Sequence, residues 1–137
     1  LGWGRGRTSF LPKQVKLLTD GAIYSQLMMM KDGYTDGHQG AWIMDPAVFG
    51  FAFQSYWDAG YQIHVHNNGD AGLDVLLDNL EVAMKRQPRP DHRTVIVHFG
   101  FATPEQVDRA AQLGAIVSAN PYYVTALAGK YADLGIG

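Results

Sequence analysis

Four short, mostly apolar segments alternate with amphipathic segments along this chain, and this alternation is the feature that most constrains its fold. Strands that are buried in a parallel sheet read as such apolar runs. The segments between them repeat their apolar residues with helical spacing. The predicted strands are residues 14–20, 61–66, 94–99 and 115–119. The pattern predicts an α/β fold with a parallel sheet that helices cover on both faces.

Local signals mark where the predicted helices begin and end. Asp45 precedes Pro46, and Thr103 precedes Pro104, as an N-cap residue precedes a proline in the first turn. We expect Asp70 to cap the helix after the second strand. Residues 21–44 show no clean period, and so long a loop in one domain is usually functional or disordered.

Composition excludes several classes of protein. The 137 residues include no Cys, 47% are hydrophobic, and 11 basic residues face 13 acidic ones. This excludes a disulfide framework and gives no electrostatic reason to expect a nucleic-acid or anionic-membrane partner. No apolar run approaches the ~18–20 residues of a membrane span. The opening G-x-G-x-G of residues 1–7 has no strand before it, so we expect a lead-in rather than a phosphate loop.

Basic and imidazole side chains stand in the strands, near the edge at which parallel α/β proteins bind ligands. Lys16 lies inside the first strand, His64 and His66 end the second, and His98 ends the third. Alternation places His64 and His66 on one face, and places Lys16 on a face with Asp20. Neutral imidazoles that converge at one edge suit a divalent metal.

The same residues also have a structural interpretation. Lys16 then extends to solvent or pairs with Asp20, and His98, which shares a face with Ile96, is an ordinary core histidine. His92, between two charged residues, is interpreted as a surface residue.

Three residues near these strand ends are candidates for supporting roles. In the functional interpretation, Asp70 or Asn67 forms a hydrogen bond with the second ring nitrogen of a histidine that binds metal. In the structural interpretation, Asp70 caps a helix. Tyr24 lies in the long loop and is a candidate substrate contact.

Three segments together resemble the amidohydrolase superfamily, and within it the family 3 branch of YtcJ-like metal-dependent hydrolases. They are residues 15–22 (VKLLTDGA), residues 64–70 (HVHNNGD) and residues 92–98 (HRTVIVH). The resemblance implies a (β/α)8 TIM barrel, of which residues 1–137 are a partial domain that covers strands 4 to 7. We therefore expect a piece of a longer chain, about half a barrel.

The resemblance also implies a metal centre. Lys16 would be the strand 4 lysine, carboxylated and bridging two metals, while His66 and His98 would be the ligands on strands 5 and 6. One or two divalent ions, zinc above all, would be bound in the full-length protein. The family's H-x-H on strand 1 and its aspartate on strand 8 have no counterpart in these residues. The candidates for outer-shell or substrate contacts are His64, Asp70, Asn67, Asp20 and Tyr24.

The implied activity is hydrolysis of a C–N bond in an amide or cyclic amide by metal-activated water. Because the strand 8 aspartate is the usual general base, we expect the 137 residues alone to be inactive. The alternatives are a non-enzymatic α/β binding module and a half-barrel that pairs with a second copy, since both sheet edges need a partner. We expect a small-molecule substrate, no nucleic-acid or membrane partner, a homo-oligomer, and a cytoplasmic location.

Overall fold

A computed structural model describes residues 12–132 of the chain, and the glycine-rich residues 1–7 lie outside this range. Four parallel strands form one sheet in the order β1-β2-β3-β4. They are β1 (Gln14–Leu18), β2 (Gln62–Asn67), β3 (Val95–His98) and β4 (Ile116–Ala119). The α/β class that the alternation predicts is confirmed.

The helices alternate with the strands, and their starts follow the expected capping chemistry at two places. They are α1 (Pro46–Asp58), α2 (Asp70–Arg86), α3 (Pro104–Gln112) and α4 (Tyr122–Tyr131). The Asp45 carboxylate accepts a hydrogen bond from the Ala47 amide at 2.9 Å, and Thr103 with Gln106 forms a reciprocal capping box.

Helix α2 begins differently from the expectation. Its N-cap is Gly69, and Asp70 is the first helical residue, whose Oδ1 accepts hydrogen bonds from the Lys31 and Ala71 amides. A Cβ at Gly69 would collide with the backbone carbonyl of Met29, so only glycine fits there. The close approach of two backbone segments therefore decides where this helix begins.

The helices cover one face of the sheet rather than both. Leu17, Ile63, Val65 and Ile96 point to that face and form a single core with α1, α2 and α3. Right-handed crossovers between strands that are neighbours in both sequence and space bring every crossover helix to the same side. The expectation of two covered faces is therefore wrong for residues 12–132, where no helix packs on the other face. That face carries the exposed Lys16 and the half-buried His64 and His66 beside the apolar Val95 and Val97.

The long segment after β1 is ordered by a small core of its own. Ile23, in a single 3-10 turn (Ile23–Ser25), packs with Met28, Met30 and Tyr34. Two side chains of α4, Leu127 and Tyr131, complete this cluster. The segment thus forms a lobe over the carboxyl ends of the strands.

His92 is buried, contrary to its interpretation as a surface residue. Its Nδ1 accepts a hydrogen bond from the Thr94 amide at 2.9 Å, and its Nε2 lies 2.9 Å from the Leu113 carbonyl oxygen. The ring thereby ties the start of β3 to the end of α3.

Among residues 12–132 no helix has the length and apolarity that a membrane crossing requires.

Candidate metal centre at the strand ends

His66 and His98 meet at the carboxyl ends of neighbouring strands. Their ring centroids are 4.6 Å apart, and the rings cross at 75°, edge to face. Both side chains are half-buried. Two imidazoles in this position can offer nitrogen lone pairs to one ion.

The backbone of His98 departs from regular strand geometry to make this contact. In the strand register His98 pairs with Asn67, whereas His66 pairs with Val97. Regular alternation would therefore give His98 the face opposite to His66. His98 has φ +78° and Phe99 has φ +50°, both in the left-handed region that side chains rarely adopt. This irregular end of β3 brings the His98 ring to His66, instead of leaving it on the face of Ile96.

The surroundings of His98 favour its neutral form. Burial lowers the pKa of the His98 imidazole below its ordinary value, and the nearby charges of His66 and Lys16 lower it further. Asp20 acts in the opposite direction. A neutral ring keeps a lone pair available, which ligation requires.

Lys16 and His64 lie side by side on the open face of the sheet. They are register partners on β1 and β2, as Leu18 and His66 are two residues further on. Lys16 is exposed, not buried, because no helix covers this face in residues 12–132. Lys16 and Asp20 form no ion pair within these residues. The Nε2 atom of His64 is buried and has no hydrogen-bond partner among the described residues.

Asp20 joins the loops that follow β1 and β2 by hydrogen bonds, close to the two histidines. Its side chain is fully buried. Oδ1 accepts the Asn68 amide at 3.0 Å, and Oδ2 accepts the Gly69 amide at 2.7 Å and the Met29 amide at 2.9 Å. The Thr19 hydroxyl donates a fourth hydrogen bond. Burial raises the pKa of the Asp20 carboxyl above its ordinary value, and these hydrogen bonds oppose the rise.

Asn68 is the residue that contacts a ring nitrogen of His66. Its Nδ2 lies 3.1 Å from Nε2 of His66 and donates to the Gly21 carbonyl at 3.0 Å. The sequence suggested Asn67 or Asp70 for this position. Asn67 instead bonds to Thr19 and to the Gly69 carbonyl, while Asp70 accepts from the backbone of the long lobe.

The donor set fits a metal in part. Within residues 12–132 no three side chains among His, Cys, Asp and Glu come close enough together to hold an ion. The pair His66 and His98 is present, and Lys16 stands on the neighbouring strand of the same sheet. The described chain therefore brings two imidazoles together, with the Lys16 amine two residues away on the neighbouring strand.

An apolar cavity of about 250 Å³ adjoins this edge of the sheet. Gly100 and Phe101, which follow β3, form one wall, and Tyr123, Leu127 and Tyr131 of α4 form another. Tyr24, 57% exposed, lies beside the cavity with its ring 5.8 Å from that of Tyr123, edge to face. The Phe101 amide donates to the Asn68 carbonyl at 2.7 Å, which links this wall of the cavity to the turn that contacts His66.

Known proteins match both the sequence and the fold. The chain matches the sequence model described as "Amidohydrolase family" over residues 2–135. It is 23% identical over 112 residues to "Putative amidohydrolase YtcJ" of Bacillus subtilis, a stretch that covers 80% of this chain and 21% of that protein. It is 28% identical over 109 residues to "Protein LONG AFTER FAR-RED 3" of Arabidopsis thaliana, covering 78% of this chain and 19% of that protein.

Two solved structures share the fold. An uncharacterized metal-dependent hydrolase from Pyrococcus furiosus superposes with a TM-score of 0.77 at 24% identity, over 100% of this chain and 28% of that one. One from Pyrococcus horikoshii gives 0.70 at 24% identity, over 90% of this chain and 24% of that one. The chain thus spans about a fifth of the curated relatives and about a quarter of these structures.

Proposed function

Because this chain belongs to the amidohydrolase family, we propose that it supplies part of the metal centre of a hydrolase that cleaves C–N bonds in amide or cyclic amide substrates. One observation carries the proposal: the His66 and His98 rings lie 4.6 Å apart at the carboxyl ends of adjacent parallel strands. Active sites of parallel α/β folds form at this edge.

His66 and His98 would hold the metal, and nitrogen donors suit zinc, as one ion or two. When bound, a divalent metal supplies Lewis-acid chemistry that makes water a nucleophile at neutral pH. Burial keeps the pKa of His98 low, so this ring is ready to ligate without first losing a proton.

Lys16 would join the centre as a carbamate. The ammonium would first lose one proton; the neutral amine would then add to CO2, forming an N–C bond as one C=O π bond opens, and lose a second proton to leave a carbamate anion that cations would favour. In the described chain Lys16 faces the open side of the sheet. A longer protein that continues the sheet into a barrel would enclose this residue with the histidines.

The apolar cavity beside the centre suits an apolar group of a small-molecule substrate. Tyr24 stands at its border and would contact that group. The general base would come from outside these residues, so we propose that the 137-residue piece alone is inactive. The sheet edges β1 and β4 would pair with further strands of the same protein or with another copy in a homo-oligomer.

The test uses the full-length protein and two matched variants, His66→Gln and His98→Gln. Each should lose bound zinc and at least ~100-fold in amide hydrolysis, given what metal ligation contributes. His38→Gln is the control, because His38 lies in the lobe, stacked on Tyr34 and bonded to Gln26 and Asp36. Unchanged zinc content in both site variants would overturn the proposal and leave a structural role for these histidines.

Lys16 and the substrate class are tested separately. Supplying ¹³C-labelled CO2 should give a carbamate carbon resonance that Lys16→Arg abolishes. Hydrolysis of N-acyl compounds and cyclic amides, compared with esters of the same acyl groups, decides whether C–N bonds are preferred. Turnover by the isolated 137 residues would contradict the expected inactivity of the piece.

A further inference from the structure

Segments that follow three different strands line the apolar cavity. Ile23 comes after β1, Phe101 comes after β3, and Tyr123 of α4 comes after β4. In parallel α/β proteins, the segments that leave the carboxyl ends of the strands hold the ligand. The cavity therefore lies at the edge of the sheet where a substrate of the candidate centre would bind.

Short links in the chain connect the cavity to the histidine pair. Gly100, in the cavity wall, is two residues beyond His98. The Phe101 amide donates to the Asn68 carbonyl at 2.7 Å, and Nδ2 of Asn68 lies 3.1 Å from Nε2 of His66. A subsite for one part of a substrate requires such a position beside the reacting centre.

The volume of the cavity suits one ring system. It measures about 250 Å³. An apolar cavity of about 150 Å³ is large enough for benzene, whereas a whole drug-sized ligand occupies about 300–1,000 Å³. Ile23, Leu127 and Tyr131 in the lining are buried, while Val124 and Ala128 are exposed. The cavity is thus closed on one side and open on the other, so a phenyl or indole group can enter while the rest of its molecule stays outside.

The lining is uncharged and rich in aromatic rings. The described residues that form it include Phe101, Tyr123 and Tyr131, and none of them carries a charged side chain. Burial raises the pKa of the Tyr123 and Tyr131 phenols, so both stay neutral at pH 7. An ionised group would lose its hydration here without gaining a countercharge. The edges and faces of these rings suit another aromatic ring.

We propose that the cavity is a specificity subsite that binds an uncharged aromatic group of the substrate, and that Phe101 and Tyr123 select this ring over an aliphatic ring of similar size. The inference rests on the proposed function, because it takes the chain as part of a hydrolase. It narrows the substrate class to amides that carry a phenyl or indole group. Packing between aromatic rings adds about 2–10-fold in affinity beyond the effect of buried area.

The first experiment compares benzyl alcohol with cyclohexylmethanol as probes of the full-length protein. Methyl NMR of leucine-labelled protein reports binding, and Leu127→Met identifies the Leu127 signals. Benzyl alcohol should shift these signals to saturation, and cyclohexylmethanol should bind about 2–10-fold more weakly. Absence of benzyl alcohol binding, or equal or tighter binding of cyclohexylmethanol, would overturn the proposal.

Variants of the lining locate the binding and the selection. Phe101→Leu and Tyr123→Leu each keep an apolar side chain but remove a ring, so each should reduce the preference for benzyl alcohol. An unchanged preference in both variants would contradict their selective role.

Filling the cavity gives a second test. Ala128→Leu should weaken benzyl alcohol binding at least ~10-fold, because the larger side chain takes up the space that the ring needs. Ala126→Leu is the matched control, since Ala126 is exposed on the same helix and the described lining does not include it. Equal effects of the two substitutions would show that the probe binds elsewhere.

Hydrolysis separates this inference from the proposed function. Amides with a phenyl ring on the acyl or the amine side are compared with their cyclohexyl counterparts, and kcat/KM should favour phenyl on one side by about 2–10-fold. Hydrolysis with no such preference on either side would overturn the subsite and leave the proposed function intact. Binding of benzyl alcohol without hydrolysis of any amide would reject the proposed function and the role of the cavity in it, while the probe affinities would still decide the selectivity of the cavity.

Discussion

His98 packs edge to face against His66, with 4.6 Å between ring centroids, although its register partner on β2 is Asn67. The contact depends on a left-handed backbone at His98, with φ +78°. For a residue with a Cβ this conformation costs about 1–2 kcal/mol. The chain therefore stores backbone strain at the end of β3, where the candidate centre lies.

This strain can be measured by comparing two variants that both remove the imidazole. His98→Gly should be about 1 kcal/mol more stable than His98→Ala in urea unfolding, because only Ala keeps a Cβ in the left-handed region. Val97, one residue earlier in regular strand geometry, is the control. There Gly should be less stable than Ala, and the same order at both positions would show that His98 is unstrained.

Gly69 should tolerate no side chain. Gly69→Ala places a Cβ against the Met29 carbonyl and should destabilise the protein by about 1–3 kcal/mol, as overpacking does. Gly129→Ala in α4 is the control, because nothing lies within 4 Å of its added Cβ. That variant should be neutral or stabilised by up to about 1 kcal/mol, as alanine favours helix. Thermal unfolding of both variants checks the contrast.

The core under the sheet should respond to truncation at Leu77 of α2. Leu77 is completely buried, so Leu77→Ala should lower the free energy of unfolding by about 2–5 kcal/mol. Val82 lies on the exposed side of the same helix, and Val82→Ala should change it by less than about 0.5 kcal/mol. Similar losses in chemical denaturation would mean that α2 does not pack as described.

Asp74 should contribute stability that depends on pH. Burial acts to raise the pKa of its carboxyl, but hydrogen bonds from Lys31 and Gln106, both at 2.6 Å, hold it below the ordinary value of 3.8 overall. A lowered carboxyl pKa stabilises the fold fully above the unfolded value, and this contribution is lost as the pH falls through the folded one.

We therefore expect Asp74→Asn to be less stable than wild type at pH 7, with a difference that shrinks as the pH falls below about 4. Unfolding free energies measured across this range check the effect. Asp108→Asn, at an exposed position of α3, controls for the loss of one negative charge. If the stability difference between wild type and Asp74→Asn grew toward acid pH, it would contradict a lowered pKa of the Asp74 carboxyl.

Features set by short-range chemistry were predictable from the sequence. The caps at Asp45 and Thr103 depend on a few adjacent residues, and both appear in the structure. The apolar runs predicted the four strands, and alternation gave His64 and His66 a common face. The family resemblance is confirmed by the match over residues 2–135.

Features set by distant segments were not predictable in the same way. The face of the sheet on which the His98 ring lies depends on a backbone torsion. The burial of His92 depends on a contact with the Leu113 carbonyl. The contact of Asn68 with His66 requires that Asp20 and Gly21 first hold the turn. A run of two asparagines signals a turn, and it carries no sign of which amide will reach the imidazole.

The strand order has a consequence for how such a chain acquires its structure. Within residues 12–132 each strand pairs with those before and after it in sequence, so each later strand docks on an edge formed by residues translated earlier. Domains tend to fold in the direction of synthesis. The order therefore allows the sheet to be assembled in the direction of synthesis, one strand and one helix at a time.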